Sequence, residues 1–258
     1  MAMVAGCIYG YGTLAESIYD RDIVFTITGE MGSAYIFQGR TFNDGWVFQP
    51  SVDVSRRLFF DQGWIGFNFW GNMDLSEYEG TRQYNEFSEI DLSFYWKTTG
   101  FDIDWRFQYT QFLYPYLKSY APGPGKPVTH EFSANVEKKF RERFAIGGSI
   151  AFDYNENWSA YATVYSYYTW MITDALTLTP RVSIGIADKR MAESFGGTQA
   201  GLADCELRLA AEYIINDKLR IHGYMGYVNT LNTETLPNER YGGVDVNLYA
   251  VVGVSYDM

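Results

Sequence analysis

The sequence predicts an all-β fold, a transmembrane antiparallel up-and-down β-barrel of twelve strands, with ten and fourteen strands as alternatives. Apolar and polar residues alternate along nearly the whole chain, and successive side chains of a strand point to opposite faces. Aromatic residues make up 18% of the chain, yet its mean hydropathy is only -0.21. No run of about 18 apolar residues occurs, which argues against a transmembrane helix. A barrel with one face in lipid and one in a polar interior has this combination.

The first predicted strand, 23–38, places Ile23, Tyr35 and Phe37 on an apolar face and Thr28 and Glu30 on a polar face. The strands that follow are predicted at 46–54, 65–75, 89–96, 101–108, 129–140, 144–154, 158–172, 176–189, 204–215, 219–229 and 244–258. Strand 158–172 has aromatic residues on both faces, so its inward side stays open. Pro50 and Pro180 remove ladder hydrogen bonds, so we expect bulges or different strand boundaries there.

Strand 244–258 has the clearest alternation, with apolar residues from Val244 to Tyr256 on one face. Such a last strand with an aromatic residue near its end is similar to the signal that the outer-membrane insertion machinery binds. It departs from that signal by ending in Asp257 and Met258. We therefore expect the insertion machinery and outer-membrane lipid to be partners of this chain.

The connections between the predicted strands alternate in length. The connections 59–63, 97–100, 141–143, 173–175 and 216–218 are short, whereas 76–85, 115–128, 190–203 and 231–243 are long. Bacterial barrels have short periplasmic turns and longer extracellular loops. The alternation therefore predicts the bacterial outer membrane of a Gram-negative cell as the location, with both termini in the periplasm.

Most charged residues lie on the polar faces of the predicted strands. A charge facing lipid costs about 2–4 kcal/mol at mid-depth, so we expect these side chains to face the interior. The predicted pore-lining residues are Glu30, Asp53, Asp74, Glu89, Asp91, Asp102, Asp104, Arg106, Arg181, Glu206, Arg208, Arg220, His222 and Asp245. Because acids exceed bases, an open lumen would favour cations. The same charges would equally brace a filled barrel, since twelve strands lie between the sizes that are filled and open.

Catalytic and cofactor sites find little support in the sequence. A nucleophile needs a base within hydrogen-bond reach, and neither His130 nor His222 has a serine at a matching spacing. We predict no enzyme, no cofactor and no metal site, with a barrel hydrolase using His130 as a remote alternative. The net charge of -11 lacks the basic stripe that nucleic-acid binding needs, so no nucleic-acid partner is expected.

Residues 1–15 are small, apolar and uncharged, which predicts a signal-peptide remnant or leader. Either removal of this segment or lipidation at Cys7 would imply export. Residues 16–258 are then one outer-membrane barrel domain.

Several short motifs in the first half of the chain resemble the TorF-type porin family of uncharacterised outer-membrane proteins. They lie at 33–39 (SAYIFQG), 49–53 (QPSVD), 64–74 (WIGFNFWGNMD), 88–92 (SEIDL) and 114–116 (YPY). The family tends to have Arg before the glycine where this chain has Gln38, with Arg40 just after. The resemblance implies a pore and brings no catalytic residue and no established substrate.

Two hypotheses for function follow. The first is a narrow channel for small cationic or neutral solutes, with small solutes or ions as its partners. The second is a structural or surface-exposed barrel with a filled lumen, whose long extracellular loops bind a partner. The oligomeric state stays open.

Overall fold

The computed structural model describes residues 23–58, 62–76, 85–115, 128–141, 143–155, 158–237 and 247–258. The predicted leader at 1–15, with Cys7, lies outside these residues. The strands are β1 (Ile23–Gly32), β2 (Tyr35–Phe37), β3 (Arg40–Asn43), β4 (Val47–Arg57), β5 (Trp64–Asp74), β6 (Glu86–Gly100), β7 (Ile103–Leu113), β8 (Val128–Phe140), β9 (Phe144–Asp153), β10 (Ser159–Tyr168), β11 (Trp170–Met171), β12 (Leu176–Ala187), β13 (Gly201–Ile214), β14 (Leu219–Thr230) and β15 (Leu248–Asp257), with one short helix, α1 (Lys189–Ser194).

Twelve of these strands form a closed antiparallel barrel, which confirms the predicted fold class. Each barrel strand pairs with its neighbours in the chain, except that β2, β3 and β11 stand outside this series. The barrel closes where β1 pairs with β15, with Glu30 opposite Gly253. Between β10 and β12 the ladder runs from Tyr161 opposite Ala187 to Tyr167 opposite Arg181.

The outer face of the barrel is an apolar belt. On β15, residues alternate strictly between exposed and buried, with Val252 56% exposed and Val251 5% exposed. The exposed set on the other strands is equally apolar, including Phe94 on β6 and Leu207 on β13. A closed barrel satisfies its backbone groups between strands, so this belt suits the hydrocarbon region of a bilayer. Among the residues that the structure describes, no helix has the length and apolar character needed to cross a membrane.

Short turns connect the strands at one end of the barrel. Phe101 and Asp102 form a two-residue turn between β6 and β7, and both have positive φ, as a type I′ hairpin requires. Strands β4 and β5, β8 and β9, and β13 and β14 also follow one another at this end, whereas β5 and β6, β7 and β8, β12 and β13, and β14 and β15 follow one another at the other end, with more residues between them in the sequence. In bacterial barrels, the end with short turns faces the periplasm.

The prediction for strand 23–38 is wrong beyond Gly32, where β1 ends. Instead of continuing along the lipid face, the chain folds back as the hairpin β2–β3, with Gln38 and Gly39 both at positive φ in its turn. Tyr35 is only 7% exposed, inside the barrel. An alternating pattern fits a hairpin strand as well as a barrel strand, so periodicity did not separate the two.

The prolines do not mark the bulges. Pro50 lies within β4, where the otherwise constant register with β5 lacks pairs at Gln49 and Pro50. Pro180 on β12 pairs with Leu209 on β13. On its other side, the ladder between β10 and β12 has already ended at Arg181. Since proline lacks an N–H donor, a gap or the end of a ladder accommodates it without a bulge. The register shifts lie instead at Asn72/Met73 and at Ile184/Ile186.

Candidate functional site in the barrel lumen

Twelve of the predicted pore-lining residues lie on inward faces of barrel strands. They are Glu30 on β1, Asp53 on β4, Asp74 on β5, Glu89 and Asp91 on β6, Asp104 and Arg106 on β7, Arg181 on β12, Glu206 and Arg208 on β13, and Arg220 and His222 on β14. Each lies an even number of residues from the buried side chains of its strand and therefore shares their face. Asp104 lies near the short-turn end, where its side chain is 47% exposed and pairs with Lys139 at 3.6 Å.

The prediction for Asp102 is wrong. It was assigned to a strand beginning at residue 101, but β7 begins at Ile103 and Asp102 is an exposed residue of the preceding turn. Its φ of 57° belongs to that turn, so its side chain has no place on the inner wall. Asp245 lies outside the described residues.

Tyr95 forms a bridge across three strands of the inner wall. Its ring on β6 lies over Gly66 on β5, and its hydroxyl donates to the Asp53 carboxylate on β4 at 2.7 Å. The Arg106 guanidinium lies 4.1 Å from the centre of the same ring. A side chain at position 66 would overlap the ring, so only glycine permits this close approach.

Three further tyrosines repeat this arrangement. Tyr165 on β10 lies over Gly147 on β9 and donates to Glu137 on β8 at 3.1 Å. Another bridge is Tyr249 on β15, over Gly226 on β14, donating to Glu206 on β13. In the same way, Tyr161 on β10 lies over Gly185 on β12 and donates to Asp204 on β13. We call these four the tyrosine bridges. They also establish that Tyr161, Tyr165 and Tyr167 of β10 face inward, which the sequence left open.

Ion pairs occupy the wall formed by β13, β14, β15 and β1. Arg208 contacts Glu206 at 2.8 Å, with both side chains 12% exposed. Arg220 contacts the Asp257 carboxylate at 2.9 Å. On this side of the barrel, two of the inward acids are thus paired with arginines, as in a bracing network.

His222 and Glu30 meet over a glycine in a similar way. Their side chains join at 2.9 Å across Gly253 of the intervening strand, and Ser255 Oγ lies 3.4 Å from His222 Nδ1. A Glu–His–Ser set suggests nucleophilic catalysis, which requires access for a substrate. Ser255 is 7% exposed and shares its hydroxyl with Thr28 at 2.9 Å, so this set is better suited to a structural role.

His130, the candidate for a remote hydrolase, lies on the outward face of β8. It shares a hydrogen bond of 2.8 Å with the Tyr109 hydroxyl and stacks on the ring of Tyr154. Within the described part of the chain, no group of three His, Cys, Asp or Glu residues has the arrangement to hold a metal ion.

The hairpin β2–β3 crosses the lumen near the end with the long loops. Tyr35 donates to Glu89 on β6 at 2.9 Å, and its ring lies 5.7 Å from that of Trp70 on β5. Burial and the nearby Glu89 carboxylate raise the pKa of the Tyr35 hydroxyl, so it remains a donor. On the opposite wall, Ala34 packs in a cluster with Tyr224 and Tyr249. The hairpin therefore spans the barrel from β5–β6 to β13–β15.

A cavity of ≈ 120 Å³ lies in the lumen, with the hairpin forming part of its wall. Each water needs roughly 10–15 Å³ measured in this way, so the cavity has room for several waters. Barrel residues of both charge types line it, among them Asp53, Asp91, Glu206 and Arg208, together with Trp70.

Some inward acids were missed by the sequence-based assignment. Asp204 accepts a hydrogen bond from Tyr161, Glu137 from two tyrosines, and Asp257 from Thr26. Asp204 lies an even number of residues from Glu206, Asp257 from Asp245, and Glu137 from Glu131, which the sequence also predicts to face inward. Strict counting by twos along each strand would have identified them.

Comparisons with known proteins show the fold. No family model matches the chain, and no curated protein matches it. Among solved structures, the KdgM porin is 9% identical over 90% of this chain and 98% of that chain, with a TM-score of 0.50. The NanC porin is 8% identical over 90% and 98%, with a TM-score of 0.52. At these identities the likeness concerns the fold alone. Combined with the apolar belt, it makes this chain a β-barrel of the bacterial outer membrane.

Proposed function

We propose that this barrel is a narrow channel for small cationic or neutral solutes. The observation that carries the proposal is the cavity of ≈ 120 Å³ inside the barrel, because charged side chains such as Asp53, Asp91 and Arg208 line it and a solute path needs groups of this kind.

The charge on one wall supports a preference for cations. Glu89, Asp91 and Glu131 line the β6–β8 side, and none of them forms an ion pair with any residue of the described part of the chain. Fixed carboxylates lower the energy of a passing cation and raise that of an anion.

The hairpin β2–β3 also supports the second hypothesis, a barrel with a filled lumen. Tyr95, Asn72 and Asp74 on the wall are each at most 1% exposed, so side chains occupy much of the interior. In that case the long loops would bind a partner. Membership of the TorF-type family and recognition by the insertion machinery stay predictions.

Conductance of the refolded protein in planar bilayers tests the proposal. The wild type is compared with a variant in which residues 35–43 are replaced by a Gly-Ser-Gly linker. Tyr35→Phe is the matched control, because it keeps the hairpin and lacks only the hydroxyl that bonds to Glu89.

We expect the wild type to conduct and its reversal potential in a KCl gradient to show cation preference. The shortened variant should conduct at least twice as well, and Tyr35→Phe should stay within twofold of the wild type. A wild type that is silent while the shortened variant conducts would support the filled barrel instead. Two silent barrels would contradict the channel proposal outright.

A further inference from the structure

Asp91 is a buried acid with a second acid, Glu89, within hydrogen-bond reach. It is 1% exposed on the inner wall of β6, and no N–H or hydroxyl group in the part of the chain that the structure describes donates to either carboxylate oxygen. A buried charge of this kind is costly unless a donor or a counter-ion satisfies it. Because Asp91 lines the lumen cavity, a molecule entering that cavity can reach it.

Aromatic residues lie beside Asp91 on both neighbouring strands. Trp70 on β5 and Phe112 on β7 are its direct partners in register, and residues opposite one another in adjacent strands have Cβ atoms about 4.5–5.5 Å apart. From the hairpin, Tyr35 packs against Trp70. We call Trp70, Phe112, Tyr35 and Asp91 the aromatic box. Rings around a carboxylate are the surroundings in which proteins bind organic ammonium ions.

More negative charge lies next to the box. Glu89 and Glu131 are the acidic neighbours of Asp91, and Glu131 Oε1 also lacks a hydrogen-bond partner among the described residues. Adjacent carboxylates repel each other, and a cation among them relieves the repulsion. A metal ion fits poorly, because no described acid cluster has the arrangement of a metal site.

We propose that the aromatic box binds a protonated primary amine. Its N–H groups would donate to the two Asp91 oxygens, its charge would lie against the rings, and its short alkyl chain would occupy the cavity. A quaternary ammonium lacks the donors that Asp91 requires. This inference rests on the proposed channel and names the class of cationic solute that the lumen recognises.

Isothermal titration of the full chain, refolded in detergent micelles at pH 7, tests this site. The probes are butylammonium chloride, tetramethylammonium chloride and 1-butanol. The key variant is Asp91→Asn. Its control is Glu193→Gln, which also removes one negative charge, but from an exposed residue of α1 at the long-loop end of the barrel.

We expect saturable one-to-one binding of butylammonium to the wild type. Tetramethylammonium should bind at least tenfold more weakly, and 1-butanol should show no saturation. Asp91→Asn should weaken butylammonium binding at least tenfold, whereas Glu193→Gln should change it less than twofold. The comparison of probes on the wild type decides the matter even if Asp91→Asn does not fold.

Equal binding of the three probes, or no binding of butylammonium, would overturn the site and would indicate carboxyl groups that share their own protons. Equal affinity in Asp91→Asn would also overturn it. Conductance distinguishes the two proposals. A barrel that binds butylammonium yet never conducts keeps the site and loses the channel, and one that conducts without binding does the reverse.

Discussion

The tyrosine bridge at Tyr95 gives the sharpest prediction about stability. Gly66→Ala adds a methyl group where the Tyr95 ring now lies, so the ring must leave. The change then removes the 2.7 Å hydrogen bond to Asp53 and the contact of the ring with Arg106 at 4.1 Å. A hydrogen bond to a charged group contributes about 1.5–3 kcal/mol and a cation–π contact roughly 0.5–2 kcal/mol. We expect Gly66→Ala to lower the free energy of unfolding by about 2–5 kcal/mol.

A double-mutant cycle with Tyr95→Ala isolates the cause. Without the ring, Gly66→Ala has nothing to displace and should be neutral or stabilise by up to about 1 kcal/mol, because alanine suits a strand better than glycine. The coupling energy between positions 66 and 95 should therefore be at least about 2 kcal/mol. Gly100→Ala is the control, since a Cβ there meets nothing within 4 Å, and it should stay within about 0.5 kcal/mol.

Urea unfolding in phospholipid vesicles, followed by the fluorescence of the seven tryptophans, measures these free energies. The reasoning fails if Gly66→Ala costs the same in both backgrounds. It also fails if Gly66→Ala alone costs no more than Gly100→Ala. Either result would mean that Tyr95 does not lie over Gly66 in the folded barrel.

Two further predictions use the same unfolding measurement. Val252→Arg, on the outer face near the middle of β15, should cost about 2–4 kcal/mol, whereas Leu248→Arg at the end of that strand should cost at most about 1 kcal/mol. Equal costs would argue against a bilayer around this face. Arg208→Met should cost about 3–5 kcal/mol because it leaves Glu206 buried without its cation, and Glu206→Leu in the same chain should recover most of the loss. No recovery would mean that the pair is not the source of the cost.

The sequence predicted the barrel well because the signal repeats in every strand. A period of two on one strand is weak, but twelve repeats and alternating loop lengths specify a closed barrel and its orientation. Of the fourteen residues that the same alternation predicted to face inward, the structure places twelve on the inner wall. The prediction failed at Asp102 because an alternating pattern carries no mark for the residue at which a turn replaces a strand.

The interior of the barrel was far less accessible from the sequence. Tyr35 and Phe37 alternate like residues of a lipid-facing strand, and only pairing across the lumen with Glu89 and Trp70 identifies a hairpin. The tyrosine bridges join residues 28–43 positions apart, as in Tyr95 with Asp53, through a glycine that a sequence pattern treats as a neutral position. Contacts of this range depend on register, which periodicity alone does not provide.

The bridges also explain why Asp91 differs from the other inward acids. Asp53 is satisfied because Gly66 leaves room on the intervening strand for Tyr95 to lie across it. Asp91 has Trp70 on one neighbouring strand and Phe112 on the other. With bulky side chains on both sides, a tyrosine two strands away has no glycine over which to lie, so the wall offers this carboxylate no donor along its surface. The neighbouring strands therefore supply no N–H or hydroxyl donor to Asp91, and an ammonium ion from the lumen would satisfy it beside the rings.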